Sequence, residues 1–112
     1  MIVGAAVVEI QIHGSQSLKQ KRGVVRSIVQ RVRNRFNLSV AEVGGQDTWQ
    51  RAVLGLAAAG GDAVRVRRAL DQALDFIEGL HLAEVMSSDV ELADLPHAEG
   101  SWIEELVDEA GS

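Results

Sequence analysis

The chain has 112 residues, of which 46% are hydrophobic and 24% are charged. This length and balance predict one globular domain with its own core. Aromatic residues are limited to two Trp and two Phe, so Val, Leu, Ile and Ala are expected to fill that core. The lack of cysteine excludes disulfide bonds, thiolate metal ligands and a cysteine nucleophile, and it fits a reducing, cytoplasmic compartment.

Charge is divided unevenly along the chain, although the formal net charge is −5. Residues 1–36 contain seven basic residues against Glu9 alone, whereas residues 93–112 contain six acidic residues and no Lys or Arg. The apolar start, residues 1–8, is too short to span a membrane and lacks the basic flank of a signal peptide. We therefore expect a basic front half, an acidic tail and no membrane association.

Hydrophobic periodicity along the chain predicts alternating strands and helices. The first helix begins after Ser17, which forms the S-x-x-Q pattern of a capping box with Gln20. Gly44 and Gly45 permit a tight turn that joins the second and third strands into a hairpin. In chain order the predicted elements are a strand at 2–12, a helix at 18–36, strands at 38–43 and 49–58, a helix capped by Asp62 and ending near Gly79, and a strand at 82–92.

This order, βαββαβ, predicts a ferredoxin-like α+β sandwich with a four-stranded antiparallel sheet. Both crossover connections are expected to be right-handed, which places the two helices on one face of the sheet and leaves the other face uncovered. The predicted domain covers residues 1–92. Residues 93–112 form a separate acidic tail, in which an apolar stripe predicts a short amphipathic helix. The stripe consists of Trp102, Ile103, Leu106, Val107 and Ala110.

Three runs of sequence carry a family resemblance. They are Ser17-Leu18-Lys19-Gln20-Lys21-Arg22-Gly23-Val24-Val25, the segment from Arg33 to Val43, and Gln46-Asp47 followed by Trp49-Gln50-Arg51-Ala52. Together they resemble the YlxP-like family of small bacterial proteins over residues 1–92, but not in the acidic tail. The resemblance implies a ferredoxin-like fold, a cytoplasmic location and, by gene neighbourhood, a ribosomal or RNA context. It implies no catalytic residues.

A row of basic residues lies on the first predicted helix. At ~100° per residue, four of them fall within about 60° on one flank, and we call them the basic ridge: Lys19, Arg22, Arg26 and Arg33. Cations at one-turn spacing suit the phosphates of a nucleic acid, and each such contact releases counterions. The basic ridge is our candidate site for RNA or the ribosome. A solvated helix face that aids solubility explains the same pattern.

The predicted hairpin supplies a second candidate surface. Asp47 is expected to cap its turn, and alternation places Trp49 and Arg51 on one sheet face, across from Glu42. An Arg51–Glu42 cross-strand pair is the structural interpretation, whereas a Trp beside an Arg is also typical of a binding hot spot. The candidate partner or oligomer contacts are Val3, Val7, Glu42, Gln46, Asp47, Trp49, Arg51 and Val53.

The uncovered face of the predicted sheet is a third candidate surface, which we call the open face. A monomer would leave it in water, so a second copy or the tail helix is expected to cover it, and we expect a homo-oligomer. RNA binding by an RRM-type sheet would need more stacking aromatics than Trp49. Alternation from the polar residues Glu9, Gln11, Glu42 and Arg51 assigns to this face Val3, Ala5, Val7, Val40, Trp49 and Val53.

The loop after the first strand ends at a helix N-terminus, where free amides and the helix dipole favour anions. A small hydrolase acting there on a phosphate or acyl phosphate would use His13 as acid or base, helped by Lys19, Lys21 and Arg22. No carboxylate near His13 in the sequence would orient its ring. Ordinary capping of the helix by Ser17 is the alternative interpretation.

No further motif indicates chemistry. His13, His81 and His97 lack the spacing of metal ligands, so neither a metal nor a cofactor is expected, and Arg67 is expected to pair with Asp71. No P-loop, dinucleotide fingerprint or nucleophile motif occurs. The sequence therefore predicts a non-enzymatic binding protein that associates with RNA or the ribosome through the basic ridge. A homo-oligomeric interaction module that uses the open face and a small hydrolase are the alternatives, and no small-molecule ligand is identified.

Overall fold

The structure is a computed structural model in which residues 1–46 and 48–96 are described. Its elements are β1 (Ile2–Gln11), α1 (Leu18–Arg35), β2 (Ser39–Gly44), β3 (Arg51–Gly60), α2 (Ala63–Gly79) and β4 (Glu84–Asp94). The strands pair antiparallel in one four-stranded sheet of order β2-β3-β1-β4. The predicted ferredoxin-like βαββαβ arrangement is confirmed. No helix within the described residues is long and apolar enough to cross a membrane.

Two strands have boundaries that differ from the predicted ones. β3 begins at Arg51, so Trp49 lies in the β2–β3 turn rather than in the strand. β4 continues to Asp94, past the predicted end of the domain at residue 92. The following residue is still bonded to the residue before β1, because the Leu95 amide donates to the Met1 carbonyl at 2.8 Å. The predicted tail helix lies outside the described residues.

Side-chain caps fix where both helices begin. The Ser17 hydroxyl accepts from the Gln20 amide at 3.1 Å, as the capping box predicts, and Gln20 Oε1 accepts from the Gln16 amide at 2.8 Å. On α2, Asp62 Oδ1 accepts from the Val64 amide at 2.9 Å, which confirms the predicted cap. These bonds matter because the first amides of a helix have no carbonyl partner within the helix.

The core lies between the sheet and the two helices. β1 and β3 turn alternate residues inward, and each helix adds an apolar stripe with a period of ~3.6 residues. Among residues 1–46 and 48–96, the buried apolar side chains are all aliphatic, as the composition predicts. They are Ala6, Val8, Ile10, Ile12, Val25, Ile28, Val32, Val40, Ala52, Leu54, Leu56, Val66, Leu70, Ala73 and Ile77.

The two helices occupy different parts of their layer. α1 packs over β2, the outermost strand on one side, whereas α2 packs over β1, β3 and β4. The helices meet through an edge-to-face contact between Phe36 and Phe76, whose ring centroids are 5.5 Å apart. The Arg35 guanidinium lies 5.2 Å from the Phe76 centroid. One flank of α1 therefore faces α2, and its other flank lies above the edge of the sheet.

Gly4 lets α2 approach β1 closely. A Cβ built at this buried position would lie 2.7 Å from side-chain atoms of Leu70 and Val66, and 2.8 Å from a methyl group of Leu92. These distances are shorter than any real Cβ contact, so an alanine here would force the neighbouring side chains to move. Glycine at this position thus sets how near the helix can lie to the sheet.

Two residues that were predicted on the open face lie on the helix-covered face instead. Val40 is buried in the core, and the Glu42 carboxylate lies 3.3 Å from Lys21 Nζ of α1. The prediction is wrong because it took a polar residue of β2 to mark the side that faces water. On that side Lys21, itself buried, offers the Glu42 carboxylate an opposite charge.

Candidate nucleic-acid interface

All the ionised side chains on the outer surface of α1 are basic. The helix contains seven basic residues and no acidic residue. Six of the seven basic residues are exposed: Lys19, Arg22, Arg26, Arg31, Arg33 and Arg35. Because no acidic residue on the helix neutralises them, they concentrate positive potential on one side of the molecule.

Three members of the basic ridge, Lys19, Arg22 and Arg26, have no acidic partner among the described residues. Arg33 differs, because its Nη2 donates to the Val40 carbonyl of β2 at 2.9 Å. This bond places the basic ridge on the flank of α1 above the sheet edge. Within residues 1–46 and 48–96, the ridge therefore combines three cations that have no acidic partner with a fourth that holds the helix to the outermost strand.

Lys21 is the one basic residue of α1 that points into the protein, with only 1% of its surface exposed. Its ammonium donates to the Gly45 carbonyl and lies 3.3 Å from Glu42 Oε2. The expectation that Lys21 assists a bound anion is therefore wrong. The sequence contains the signal that was missed, because at ~100° per residue Lys21 points in nearly the same direction as Val25 and Ile28.

The β2–β3 turn carries Trp49, which is 53% exposed. Lys21 holds the beginning of this turn through the Gly45 carbonyl. The Gln50 side chain holds the end of the turn by donating to the Ser15 carbonyl at 3.3 Å. Both anchors belong to the first turns of α1 or to the loop before it. Trp49 is thus held near the end of α1 where the basic ridge begins.

The other candidate contact residues of the hairpin lie on different surfaces in the structure. Arg51 pairs with Glu9 of β1, with 2.8 Å between Nε and Oε1, so the predicted Arg51–Glu42 pair is wrong. Arg51 and Glu9 share the open face, whereas Glu42 faces the helices. Gln46 is exposed in the turn, and Asp47 lies outside the described residues.

The opposite edge of the sheet carries the opposite charge. β4 is the outermost strand on that side and has four acidic residues and no basic one. All four are exposed: Glu84, Asp89, Glu91 and Asp94. Since α1 and β4 lie at opposite edges, an approaching polyanion is attracted at the basic ridge and repelled at β4.

A second polar cluster joins the β1–α1 loop to the beginning of β4. His13 Nε2 and Glu84 Oε2 are 2.6 Å apart, and they line a cavity of about 480 Å³ together with Glu78 and His81. The sheet order brings His13 and Glu84 together from positions 71 residues apart, so the sequence near His13 could not indicate this carboxylate. In the part of the chain that the structure describes, no group of metal-ligating side chains is placed to hold an ion.

The loop before α1 uses several of its own donors. The Ser15 hydroxyl donates to the Ser17 carbonyl at 3.1 Å. The Gln16 amide is bound by the Gln20 side chain, and the Gln20 amide by the Ser17 hydroxyl. Because Lys21 points inward as well, fewer donors face an anion than the sequence predicts. This arrangement favours the capping interpretation of the loop.

The strand order and the placement of both helices define a ferredoxin-like α+β sandwich. The family model described as "Protein of unknown function (DUF503)" matches residues 3–90, and the chain belongs to this family. The chain is 43% identical to "Uncharacterized protein YlxP" of Bacillus subtilis (strain 168) over 77 residues, which are 69% of this chain and 84% of that protein. The YlxP-like resemblance is confirmed.

Solved structures with a similar arrangement include SnoaB, a cofactor-independent oxygenase from Streptomyces nogalater, and the acylphosphatase from Bacillus subtilis. SnoaB is 12% identical, with a TM-score of 0.48 over 90% of this chain and 100% of that chain. The acylphosphatase is 15% identical, with a TM-score of 0.44 over 89% of this chain and 91% of that chain. Similarity at this level carries no argument about chemistry.

Proposed function

We propose that this protein binds single-stranded RNA through the basic ridge and does not act as an enzyme. The observation that carries the proposal is the row of Lys19, Arg22 and Arg26, exposed and without acidic partners among residues 1–46 and 48–96. Arg22 and Arg26 are about one helical turn apart, or ~6 Å along the axis. Successive cations at this spacing can contact successive phosphates of one strand, and each contact adds salt-dependent affinity.

Trp49 favours a single strand over a duplex. Its side chain is available in a turn that Lys21 and Gln50 hold near the beginning of the basic ridge. An exposed aromatic beside a row of cations offers a stacking surface to an unpaired base, and such stacking contributes ~1–3 kcal/mol per base. The bases of a duplex are already stacked on one another and cannot use this surface.

The same proposal includes a cytoplasmic location, with ribosomal RNA as the expected source of the strand. Support for it comes from the YlxP-like resemblance and from the lack of cysteine, which fits a reducing compartment. The relative YlxP is itself described as uncharacterized. The binding measurements therefore begin with short model RNAs.

Fluorescence anisotropy with a labelled single-stranded RNA tests the proposal. Three or four phosphate contacts predict that binding weakens roughly 20–50-fold between 50 and 200 mM salt. The triple charge reversal Lys19→Glu, Arg22→Glu, Arg26→Glu is expected to abolish binding at the lower salt concentration. Trp49→Ala is expected to weaken binding of the single strand by about fivefold or more, and to leave binding of duplex RNA unchanged.

The matched control for the charge reversal lies on α2. Arg65→Glu, Arg67→Glu, Arg68→Glu changes the net charge by the same amount on three exposed residues of the other helix. We expect this control to weaken binding far less than the reversal on the basic ridge. An equal loss in the two triple variants, or RNA binding that does not respond to salt, would contradict the proposal.

A further inference from the structure

The open face of the sheet, on the side away from both helices, is mostly small and apolar. The strand registers place side chains of β1, β2 and β3 side by side on it. Its apolar members are Val3, Ala5 and Val7 of β1, Val53, Gly55, Ala57 and Ala59 of β3, and Ala41 and Val43 of β2. No element among the described residues covers them.

The valines of the open face are well exposed. Val3, Val7 and Val43 keep 38%, 47% and 55% of their surfaces in contact with water. A Cβ built at Gly55 would lie 3.0 Å from a Val43 methyl group, so the Val43 side chain lies close against Gly55. A contiguous apolar surface on a protein of this size is typical of an interface.

The ionised groups of the open face are arranged so that its centre is neutral. Glu9 and Arg51 lie on the central strands and neutralise each other at 2.8 Å. Asp89 and Glu91 lie on β4, at the rim of the face. A neutral centre can meet its own copy across a two-fold axis, whereas the α1 surface and the β4 edge each repel their own copies. The open face is therefore the large surface that suits self-association.

The area of the open face is sufficient for a dimer. Strands ~4.8 Å apart with a rise of ~3.3 Å per residue give a four-stranded face of about 500–600 Å². Two such faces would bury roughly 1,000–1,200 Å² in total, which lies at the low end for specific interfaces. Interfaces at this end of the size range include weak, transient associations, so self-association is sought at micromolar concentrations.

We infer that a second copy of this chain packs face to face on the open face, with Val3, Val7 and Val53 at the centre of the contact. Sheets packed in this way lie ~10 Å apart, and short side chains allow that approach. The dimer leaves α1 of both copies on the outside, so both basic ridges stay accessible. The inference does not depend on RNA binding.

Sedimentation equilibrium of the full chain across the micromolar range tests the inference. We expect a monomer–dimer equilibrium that Val7→Glu shifts toward the monomer by at least about tenfold, because it buries an unpaired charge. Val64→Glu is the matched control, since Val64 is 62% exposed on α2, away from the open face. It is expected to leave the equilibrium unchanged. If Val7→Glu fails to fold, the double variant Val3→Thr, Val7→Thr keeps the β-branched shape and tests the same surface.

A monomer at every concentration would overturn the inference, and so would equal effects of Val7→Glu and Val64→Glu. Residues 97–112 are the alternative cover for the open face. In that case the full chain would be monomeric and Trp102→Ser would induce self-association, a result that also overturns the dimer. RNA binding of Val7→Glu separates the two proposals, because loss of the dimer leaves the basic ridge intact.

Discussion

α1 and α2 have the same structural role but different outer surfaces. They contain 18 and 17 residues, lie on the same face of the sheet and each bury four side chains. On α2, three basic residues are balanced by three acidic ones, and Arg67 lies 3.3 Å from Asp71 as predicted. On α1, every ionised group is basic. The two helices therefore share the buried apolar side chains that the fold requires, and they differ in the charges of their outer surfaces.

The comparison indicates that the unpaired charges of Lys19, Arg22 and Arg26 do not stabilise α1. Opposite charges one turn apart stabilise a helix by ~0.2–0.5 kcal/mol, and like charges such as Arg22 and Arg26 destabilise it by a similar amount. α2 has the stabilising arrangement and α1 has the destabilising one. The packing of the protein does not explain a surface that lowers helix stability, whereas the RNA binding proposed above would account for it.

The largest effect on stability is expected at Lys21. It is the one charged residue among the buried side chains of α1, whereas the buried side chains of α2 are all apolar. Lys21→Met keeps the length of the side chain but leaves Glu42 without its opposite charge and the Gly45 carbonyl without its donor. We expect the free energy of unfolding in urea to fall by about 2–4 kcal/mol. The exposed control Lys19→Met should change it by less than about 0.5 kcal/mol. Equal small changes in both variants would show that the fold does not need the buried ion pair.

The next effect concerns the close contact that α2 makes with β1 and that has no counterpart under α1. Gly4→Ala introduces a Cβ that meets Leu70, Val66 and Leu92 at less than 3 Å. We expect a loss of about 1–3 kcal/mol, seen as a lower Tm in thermal unfolding. An unchanged Tm would show that α2 can move away from the sheet at no cost.

A glycine on α1 is expected to respond in the opposite direction. Gly23 lies within α1, away from both ends of the helix, and is exposed to solvent. A Cβ there meets nothing within 4 Å. Gly23→Ala should raise the free energy of unfolding by about 0.5–1 kcal/mol because alanine loses less backbone entropy in a helix. Destabilisation by Gly23→Ala would mean that the outer surface of α1 is packed against another part of the protein.

The smallest effects test the comparison of charges directly. Arg22→Gln removes a repulsion on α1 and should stabilise the protein by about 0.2–0.5 kcal/mol, whereas Asp71→Asn removes an attraction on α2 and should destabilise it by a similar amount. Urea unfolding at low salt should resolve the opposite signs, and added salt should reduce both effects. If Arg22→Gln destabilises the protein, the basic surface supports the fold, and no ligand is needed to explain its charge.

The elements and their caps could be predicted because they depend on neighbours in the sequence. Apolar periodicity found each strand and helix, and Ser17 and Asp62 bind amides only two or three residues away. The same local logic failed for Glu42, since the side of the sheet that a strand residue faces is set by pairing with β3. That pairing includes an irregularity between Glu42 and Gly44, which no local pattern displays.

The polar contacts of the candidate site were hardest to predict. His13 with Glu84, and Glu9 with Arg51, join residues that only the strand order brings together. Lys21 is different, because its direction on the helix already places it among apolar residues. It was missed because its charge was given more weight than its position. The basic ridge itself was predictable from helical spacing alone.

Arg33 also affects how the protein behaves at high concentration. An outermost strand such as β2 can accept a strand from another chain, and this kind of pairing starts irreversible aggregation. The Arg33 guanidinium binds the Val40 carbonyl of that strand and puts a charge where an incoming strand would have to lie. Arg33→Ala would leave the fold intact but remove this charge from the edge of the sheet, and concentrated samples would then form β-rich precipitates.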